Sequence, residues 1–225
     1  MKQTIITSSI ALLAVAAFGN ANAADAKWSG PYVGFTVGAT NYSIDAQDVT
    51  LEMSDTGNLQ ANKLRAVAGL AAGMNWQVGS FVYGVEADVN LDTSGEVRAN
   101  SDWGAEYSAR AQKKWNASVR ARAGIAVASV LPYITGGIDF ANVKRKILYD
   151  SLDCQGQYDN CGTKTQAALT LGGGVEAKIS SNGSLKFEYL HTFLPKKELL
   201  FTDNTGPVIF NDSYDTFRIG YNHHF

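Results

Sequence analysis

The sequence predicts an all-β protein, an eight-stranded antiparallel transmembrane β-barrel with short turns at one end and four longer loops at the other. Eight segments alternate between an apolar face and a face of polar or small residues, which is the period of a β-strand between two different environments. The connections between these segments are alternately short and long. Gly accounts for 22 of 225 residues and charged residues for only 18%, a composition that suits a β-protein with many turns.

The eight segments are about as long as membrane-crossing strands, which need roughly 9–11 residues. In chain order they cover residues 31–42, 62–73, 81–91, 116–129, 132–142, 165–179, 184–191 and 215–225. In the first four, the apolar face holds Val33, Phe35 and Val37; Leu64, Ala66 and Leu70; Tyr83, Val85 and Val89; and Ala117, Val119 and Ala121. In the last four, it holds Ile134, Ile138 and Phe140; Leu169, Leu171 and Val175; Leu185, Phe187 and Tyr189; and Phe217, Ile219 and Tyr221.

The connections predict which end of the barrel holds the termini. Short turns are expected at residues 75–80, 129–132 and 180–183, the last reading "SSNG". Long polar connections are expected near residues 43–61, 92–113, 144–164 and 195–212. Strict alternation places all short turns at one end. Because the number of strands is even, both termini lie at that end.

The alternation alone does not distinguish a membrane barrel from a soluble barrel, which turns its apolar face inward. Here the polar faces are rich in Gly, Ala, Ser and Thr, with few charges, whereas a solvated exterior usually carries many long charged side chains. The apolar faces end in aromatic residues such as Trp76, Tyr83 and Phe225, as the interfacial girdles of membrane barrels require. Both features favour the membrane barrel.

Two arginines on the polar face of the fourth segment raise the question of what fills the barrel. A helix would place Arg120 and Arg122 about 200° apart, so a strand that points both inward is the coherent interpretation. The neighbouring strand points Glu86 and Asp88 inward at a similar depth. Because enclosed charges must be paired, these four residues are expected to form ion pairs. Exchanging the charges of Glu86 and Arg120 should recover part of the stability that is lost when one partner is removed. Six further residues are predicted to extend this lumen network: Asp139, Glu176, Lys178, Lys186, Glu188 and Arg218.

Two functions remain open for these charges. An eight-stranded barrel has an interior just wide enough for side chains to fill it, which favours a closed, structural lumen. Alternatively, the charges line the path of a small diffusion channel.

The first 23 residues are predicted to be a cleaved signal peptide. Lys2 precedes an apolar stretch, and Ala21-Asn22-Ala23 resembles a cleavage site. Residues 24–225 then form the barrel domain. Because an exported chain meets an oxidising compartment, the two cysteines, Cys154 and Cys161, are expected to form a disulfide; two free thiols are the alternative.

The sequence offers little support for catalysis, metal binding or a cofactor. His223 and His224 are adjacent in the last strand and therefore point to opposite faces. His191 lies at the outer end of its strand, with acidic candidates in Asp203, Asp212 and Asp215, but no nucleophile is marked by spacing. No enzymatic activity is predicted. A net charge of −2 argues against nucleic-acid binding.

The longer loops are the remaining candidate sites for an extracellular ligand. Trp103, Tyr107 and Trp115 lie in or beside the second loop. An apolar tip is predicted for the fourth loop from Phe201, Val208, Ile209 and Phe210. The alternative is that these residues pack between loops or enter the membrane interface.

Several segments together resemble the small eight-stranded outer-membrane proteins of alphaproteobacteria, the OmpA-type membrane-domain group of porin-like surface antigens. They include "WSGPYVGFTVGA", "VRARAGIAV", "LPYITGGIDFANV", "LKFEYLH" and "FRIGYNHHF". The resemblance implies a location in the cell outer membrane of a Gram-negative bacterium, with periplasmic turns and extracellular loops. It further implies a structural role in envelope integrity and surface interactions, and contacts with outer-membrane lipid and lipopolysaccharide.

The last eight residues are similar to the assembly signal that the barrel-insertion machinery of this family reads. Arg218, Gly220 and Phe225 fit that pattern, whereas His223 departs from it at a hydrophobic position. The resemblance therefore implies that the insertion machinery is a partner of the C-terminal strand.

Overall fold

Eleven β-strands make up the part of the chain that the computed structural model describes, namely residues 27–48, 58–93, 95–100, 107–149, 160–200 and 207–225. Their bounds are β1 (Gly30–Asp48), β2 (Asn58–Val78), β3 (Phe81–Asp92), β4 (Val97–Asn100), β5 (Tyr107–Ile125), β6 (Val130–Tyr149), β7 (Asn160–Lys178), β8 (Gly183–Phe193), β9 (Lys197–Leu200), β10 (Pro207–Phe210) and β11 (Ser213–His224). Within these ranges no helix is long and apolar enough to cross a membrane. The predicted signal peptide lies outside the described residues.

Eight of these strands close into the predicted antiparallel barrel. β1, β2, β3, β5, β6, β7, β8 and β11 pair in chain order, and β11 pairs back onto β1 from Tyr32↔His224 to Ser43↔Ser213. The backbone N–H of Phe225 donates to the carbonyl oxygen of Pro31 at 3.1 Å. The first and last strands therefore begin and end together at the short-turn end, as predicted.

The two faces of the barrel have the predicted orientation. Outward side chains are apolar and exposed, with Leu70 at 65% and Ile134 at 71% of full exposure. Inward side chains are polar and buried, with Thr36 at 3%. Trp76 and Phe81 each stack on Tyr83 near the short turns, where an interfacial girdle is expected. A soluble barrel is excluded, because its apolar face would lie inside.

The long connections differ from the prediction, because much of each is strand. β1 runs to Asp48 and β2 starts at Asn58, so this hairpin pairs through most of the residues expected to form a loop. β5, β6 and β7 lengthen in the same way, and the short strands β4, β9 and β10 add to the sheet above the barrel. Beyond the apolar belt, backbone hydrogen bonds between the strands hold these hairpins together, and their outer face is not apolar. Alternation of apolar and polar residues therefore does not reveal these strands in the sequence.

One short turn is displaced from its predicted position. Val127 bridges Val130, and Ala128 adopts the left-handed conformation with φ of 54° between them. The turn therefore comprises Ala128 and Ser129 and overlaps the predicted range 129–132 only at Ser129, and Pro132 already lies within β6. The sequence signal misled because Pro132 is tolerated near the start of a strand. The other two turns lie where they were predicted, at Gly79–Ser80 and before Gly183.

Candidate functional site

Arg120 lies at the centre of a buried ion-pair cluster inside the barrel. The register of β3 and β5 places it directly opposite Glu86. Its Nη2 lies 2.5 Å from Oε1 of Glu86 and 2.8 Å from Oδ2 of Asp88, and its Nη1 lies 3.3 Å from Oε2 of Glu188. A single guanidinium thus links three carboxylates from two separate parts of the barrel wall.

Arg122 makes a second group of contacts nearer the short-turn end. Its Nη2 lies 2.6 Å from Oε2 of Glu176. Its guanidinium carbon lies 4.4 Å from the ring centroid of Tyr133, within the range of a cation–π contact. Arg122 also donates to the hydroxyl of Tyr32 at 3.2 Å. This arginine therefore connects the acidic centre to an aromatic layer below it.

Lys186 and Arg218 complete the cluster from β8 and β11. Lys186 Nζ lies 2.7 Å from Oε2 of Glu86. Arg218 Nη2 lies 2.6 Å from Glu188, and Arg218 Nη1 lies 3.2 Å from Asp88. We call the following eight buried residues the central network: Glu86, Asp88, Arg120, Arg122, Glu176, Lys186, Glu188 and Arg218. Four are acidic and four are basic, so the network is neutral when all are ionised.

Neutral donors satisfy further lone pairs of these carboxylates. Tyr32 donates to Glu86 and Tyr133 donates to Glu188, each at 2.8 Å. Ser118 donates to Asp88 at 2.7 Å, and Asn222 donates to Glu176 at 2.9 Å. Buried charges are tolerated when they are both paired and hydrogen-bonded, and these contacts meet that condition.

Two predicted lumen residues lie outside the central network. Asp139 accepts a hydrogen bond from Asn116 at 2.6 Å, in a separate layer nearer the long-loop end. Lys178 does not join the ion pairs, so the prediction that it extends the lumen network is wrong. Its Nζ lies 5.1 Å from the ring centroid of Trp28. The inward direction of Lys178 was right, but its position near the end of β7 leaves it half-buried at the barrel mouth.

The layer around Asp139 includes Lys113, which the sequence did not reveal. Lys113 is buried, with Nζ 3.1 Å from Oδ2 of Asp92 and 4.1 Å from the ring centroid of Tyr214. Strict alternation from the outward Trp115 would turn Lys113 outward. A β-bulge between Lys113 and Trp115 shifts the register and brings the ammonium inside, which is how bulges redirect side chains.

Apolar clusters lie on both sides of the charged layers. At the short-turn end, Trp28, Val82, Leu131 and Tyr133 form a buried cluster. At the other end, the larger cluster contains Tyr42, Ile44, Val97, Ala111, Ala141, Val143, Ala168, Leu194, Phe210 and Tyr214. The charges are therefore enclosed along the barrel axis as well as around it.

The buried position of Phe210 contradicts the prediction that it belongs to an apolar tip of the fourth loop. β10 pairs with β1, which brings Phe210 into the larger cluster as a fully buried residue. Its neighbour Asp212 accepts a hydrogen bond from Tyr42 at 2.9 Å and lies 2.8 Å from Nη2 of Arg145. Burial raises the pKa of the Asp212 carboxyl above its ordinary value, while Arg145 opposes that shift. Trp103 and Phe201 lie outside the described residues.

The histidines occupy three different environments. His224 points inward, with Nε2 2.9 Å from the Ser184 hydroxyl and 3.2 Å from Glu176, whereas His223 is exposed on the outer face. His191 Nδ1 lies 2.7 Å from Asp215, which also accepts from the Tyr189 hydroxyl at 2.6 Å. Among the described residues no group of His, Cys, Asp and Glu is arranged to hold a metal ion.

The three acidic residues that the sequence grouped with His191, namely Asp203, Asp212 and Asp215, do not lie together in the described structure. Asp215 contacts His191 on the outward face, whereas Asp212 is enclosed with Arg145 and Tyr42. Asp203 lies outside the described residues. His191 and Asp215 together resemble the base and orienting acid of a hydrolase, but the described contacts of His191 include no nucleophilic side chain.

Cys161 is disulfide-bonded in β7, and Cys154, its predicted partner, lies outside the described residues. We expect no labelled thiol when the unreduced protein is unfolded in the presence of a maleimide, and two after reduction. Reduction should leave the barrel closed, because Cys161 lies beyond the strand pairs that join β7 to β8. The measurement is mass spectrometry combined with migration of unboiled protein in SDS gels. Two labelled thiols before reduction would contradict the bond.

The residues of the predicted assembly signal share β11 or directly follow it but point in different directions. Arg218 belongs to the central network. Gly220 is buried against the backbone of Phe35, and Phe225 is 70% exposed on the outer face. Only Phe225 among these three is placed to contact another protein from outside the closed barrel.

These features define a class of protein: a closed antiparallel barrel, apolar outside and polar inside, is a membrane-spanning β-barrel. The chain belongs to the family described as outer membrane protein beta-barrel domain, which matches residues 10–225. The protein is therefore an outer-membrane β-barrel, with its short turns on the periplasmic side and its long hairpins outside the cell.

Two relatives and one solved structure illustrate the similarity. The chain is 31% identical over 205 residues to the 31 kDa outer-membrane immunogenic protein of Brucella melitensis, covering 88% of this chain and 84% of that protein. It is 30% identical over 200 residues to the 25 kDa outer-membrane immunogenic protein of the same species, with 88% and 79% covered. The crystal structure of OprG from Pseudomonas aeruginosa matches with a TM-score of 0.53 at 11% identity, covering 88% of this chain and 97% of that one. That last similarity concerns the fold alone.

Proposed function

We propose that the protein is a non-conducting outer-membrane barrel, a structural and surface component of the envelope whose lumen is sealed by its own side chains. The observation that carries this proposal is the central network, enclosed between two apolar clusters. An ion crossing the barrel would have to separate buried ion pairs and pass both apolar layers. Separating buried ion pairs is strongly unfavourable. Removing one partner of such a pair typically costs about 3–5 kcal/mol.

Conductance in a planar lipid bilayer tests the sealed lumen. Purified protein inserted in its folded form should give a current at the background of the bare bilayer. A variant that loses one cation and one anion, Arg120→Ala with Glu188→Ala, keeps the network neutral and removes two side chains that meet at its centre. This variant should pass more current than the wild type if the charged side chains are the main barrier. An unchanged background current would assign the barrier to the two apolar clusters.

Steady open steps from the wild-type protein would overturn the sealed lumen. The small diffusion channel would then replace it, and the charges of the central network would line a water-filled path. Migration of unboiled and boiled samples in SDS gels provides the folding control for both proteins, since a closed barrel has no edge from which to unzip.

The structural role in the envelope is supported by the long hairpins. β1, β2, β5, β6 and β7 extend beyond the apolar belt and form sheet structure outside the membrane. The names of the Brucella relatives describe those proteins as immunogenic, which suits surfaces presented outside the cell. Cells lacking the protein should become more sensitive to detergent, and a copy of the gene should restore resistance. Unchanged sensitivity would contradict the envelope role.

We further propose that Phe225 is read by the barrel-insertion machinery during assembly. Because Phe225 is exposed and has no lumen contact, Phe225→Ala should reduce the amount of folded barrel in cell envelopes while leaving refolding in detergent unchanged. Phe35→Ala is the matched control, since Phe35 is also an outward aromatic, at 53% exposure. Quantitative immunoblots of unboiled envelopes measure the folded fraction. Equal losses for both variants would contradict a specific role of Phe225.

A further inference from the structure

Two lysines, Lys114 and Lys144, lie close together in the ladder on the outer face of the barrel and take no part in the central network. The bulge that turns Lys113 inward leaves Lys114 exposed on the outside of β5, next to Trp115. On the neighbouring strand, Lys144 follows Asn142 on the outward face of β6. Trp115 pairs with Asn142, and Gln112 pairs with Lys144. Two ammonium groups therefore flank one short stretch of the same ladder.

The pair lies just above the apolar belt on the extracellular side. Phe140 on β6 and Val119 on β5, at 43% and 58% exposure, mark the belt below it. A partly exposed tryptophan beneath lysines is typical of the boundary between hydrocarbon and headgroups. This placement brings Lys114 and Lys144 level with the headgroups of the outer leaflet.

Neither lysine contacts a carboxylate within the part of the chain that the structure describes. Glu96 is already engaged by two other cations, since its Oε1 lies 2.7 Å from Lys146 Nζ and its Oε2 lies 3.8 Å from Arg110 Nη1. Exposed Arg98 on β4 adds a further positive charge and pairs in register with Arg110 of β5. Like charges on adjacent strands repel each other, so this surface attracts an anion.

The opposite side of the barrel differs at the same height. There β1, β8 and β11 present Asn41, His191 and Asp215 outward, and no lysine is among the outward residues described on these three spanning strands. The described positive surface therefore avoids β1, β8 and β11. It lies on β4, β5 and β6, and exposed Lys63 on β2 and Lys164 on β7 extend it. A general need for soluble charge around the rim does not produce this asymmetry.

We propose that Lys114 and Lys144 bind a phosphate group of an outer-leaflet glycolipid. The outer leaflet supplies phosphorylated glycolipid at this level, and lysine binds phosphate as a mobile point charge. Asn142, whose amide donates to the Thr165 hydroxyl at 3.0 Å, provides a polar surface between them for the sugar. The proposal rests on the outer-membrane location and is independent of whether the lumen conducts.

Native mass spectrometry of the protein in zwitterionic detergent tests this site with diphosphoryl lipid A. Basic residues near an anionic surface contribute roughly fivefold each to binding, so Lys114→Gln with Lys144→Gln should weaken the apparent Kd about 25-fold. Lys196→Gln is the matched control, because Lys196 is exposed at the same end, just beyond β8. It should bind like the wild type. The two substituted lysines are peripheral, and SDS-gel migration checks that each variant is folded.

Two further ligands identify the source of the phosphate. Dephosphorylated lipid A should lose as much affinity for the wild type as the double variant loses for diphosphoryl lipid A. Inorganic phosphate should fail to compete at millimolar concentration. Undiminished binding by the double variant, or equal binding of the dephosphorylated lipid, would overturn the site. Effective competition by inorganic phosphate would overturn the glycolipid as its occupant.

Discussion

Replacing Arg120 by methionine should lower the free energy of unfolding by about 3–5 kcal/mol, the range for removing one partner from a buried ion pair. The side chain of Arg120 is fully buried and contacts three carboxylates, from Glu86, Asp88 and Glu188. Methionine fills similar space but leaves these carboxylates with one cation fewer. Urea unfolding of the refolded barrel in detergent micelles, followed by tryptophan fluorescence, gives the measurement.

Arg98→Met is the matched control for Arg120→Met. Arg98 is exposed on β4, so its loss should change the unfolding free energy by less than about 0.5 kcal/mol. Equal stability of the two variants would show that the central network contributes nothing that water cannot replace.

The structure also changes the outcome expected for exchanging charges. From sequence alone, Glu86→Arg combined with Arg120→Glu restores a simple pair. In the folded protein, Glu86 Oε2 lies 2.7 Å from Lys186 Nζ, and Glu86 Oε1 lies 3.5 Å from Arg218 Nη2. An arginine there would face two cations. We therefore expect the double variant to remain as unstable as Arg120→Met, and recovery to wild-type stability would contradict the shared arrangement of these charges.

Gly137→Ala should destabilise the barrel by about 1–3 kcal/mol, as overpacking in a tight interior typically does. Gly137 pairs with Arg120 across β5 and β6. A methyl group at position 137 would overlap the carbonyl oxygen of Val119 and lie 2.6 Å from the Cα of Arg120. Because these are backbone atoms, a rotamer change cannot relieve the overlap and the two strands must separate.

Gly162→Ala is the matched control, since a methyl group there would meet no atom within 4 Å. This substitution lies in the same sheet, on the extracellular extension of β7. The same urea titration should detect little change for it. A loss of stability equal to that of Gly137→Ala would point to glycine content in general and not to the close approach at Arg120.

The sequence predicted the barrel and much of its interior because both depend on local rules. Alternation identified the eight spanning strands, and counting from the periplasmic turns placed Glu86 and Arg120 at one depth, where the register pairs them directly. The depth of Lys178 was the weak point. Alternation gives the face of a residue but not its distance from the barrel mouth.

What the sequence could not provide depended on irregular or long-range pairing. A one-residue bulge reversed the direction of Lys113, and such bulges leave no periodic signal. Phe210 seemed to belong to a loop tip because its partner strand, β1, is more than 150 residues away in sequence. The extensions of the hairpins were missed because polar strands outside a membrane do not need an apolar outer face.

The wide sequence separation within the central network constrains the order in which the protein assembles. Lys186 and Glu86 are 100 residues apart, and Arg218 and Asp88 are 130 residues apart. A hairpin of β2 and β3 inserted alone would hold Glu86 and Asp88 in hydrocarbon without their cations, which is highly unfavourable. Asp88 obtains all its partners only when the C-terminal strand arrives. Insertion of these strands and closure of the cylinder must therefore proceed together, with β11 as the step that completes charge neutralisation.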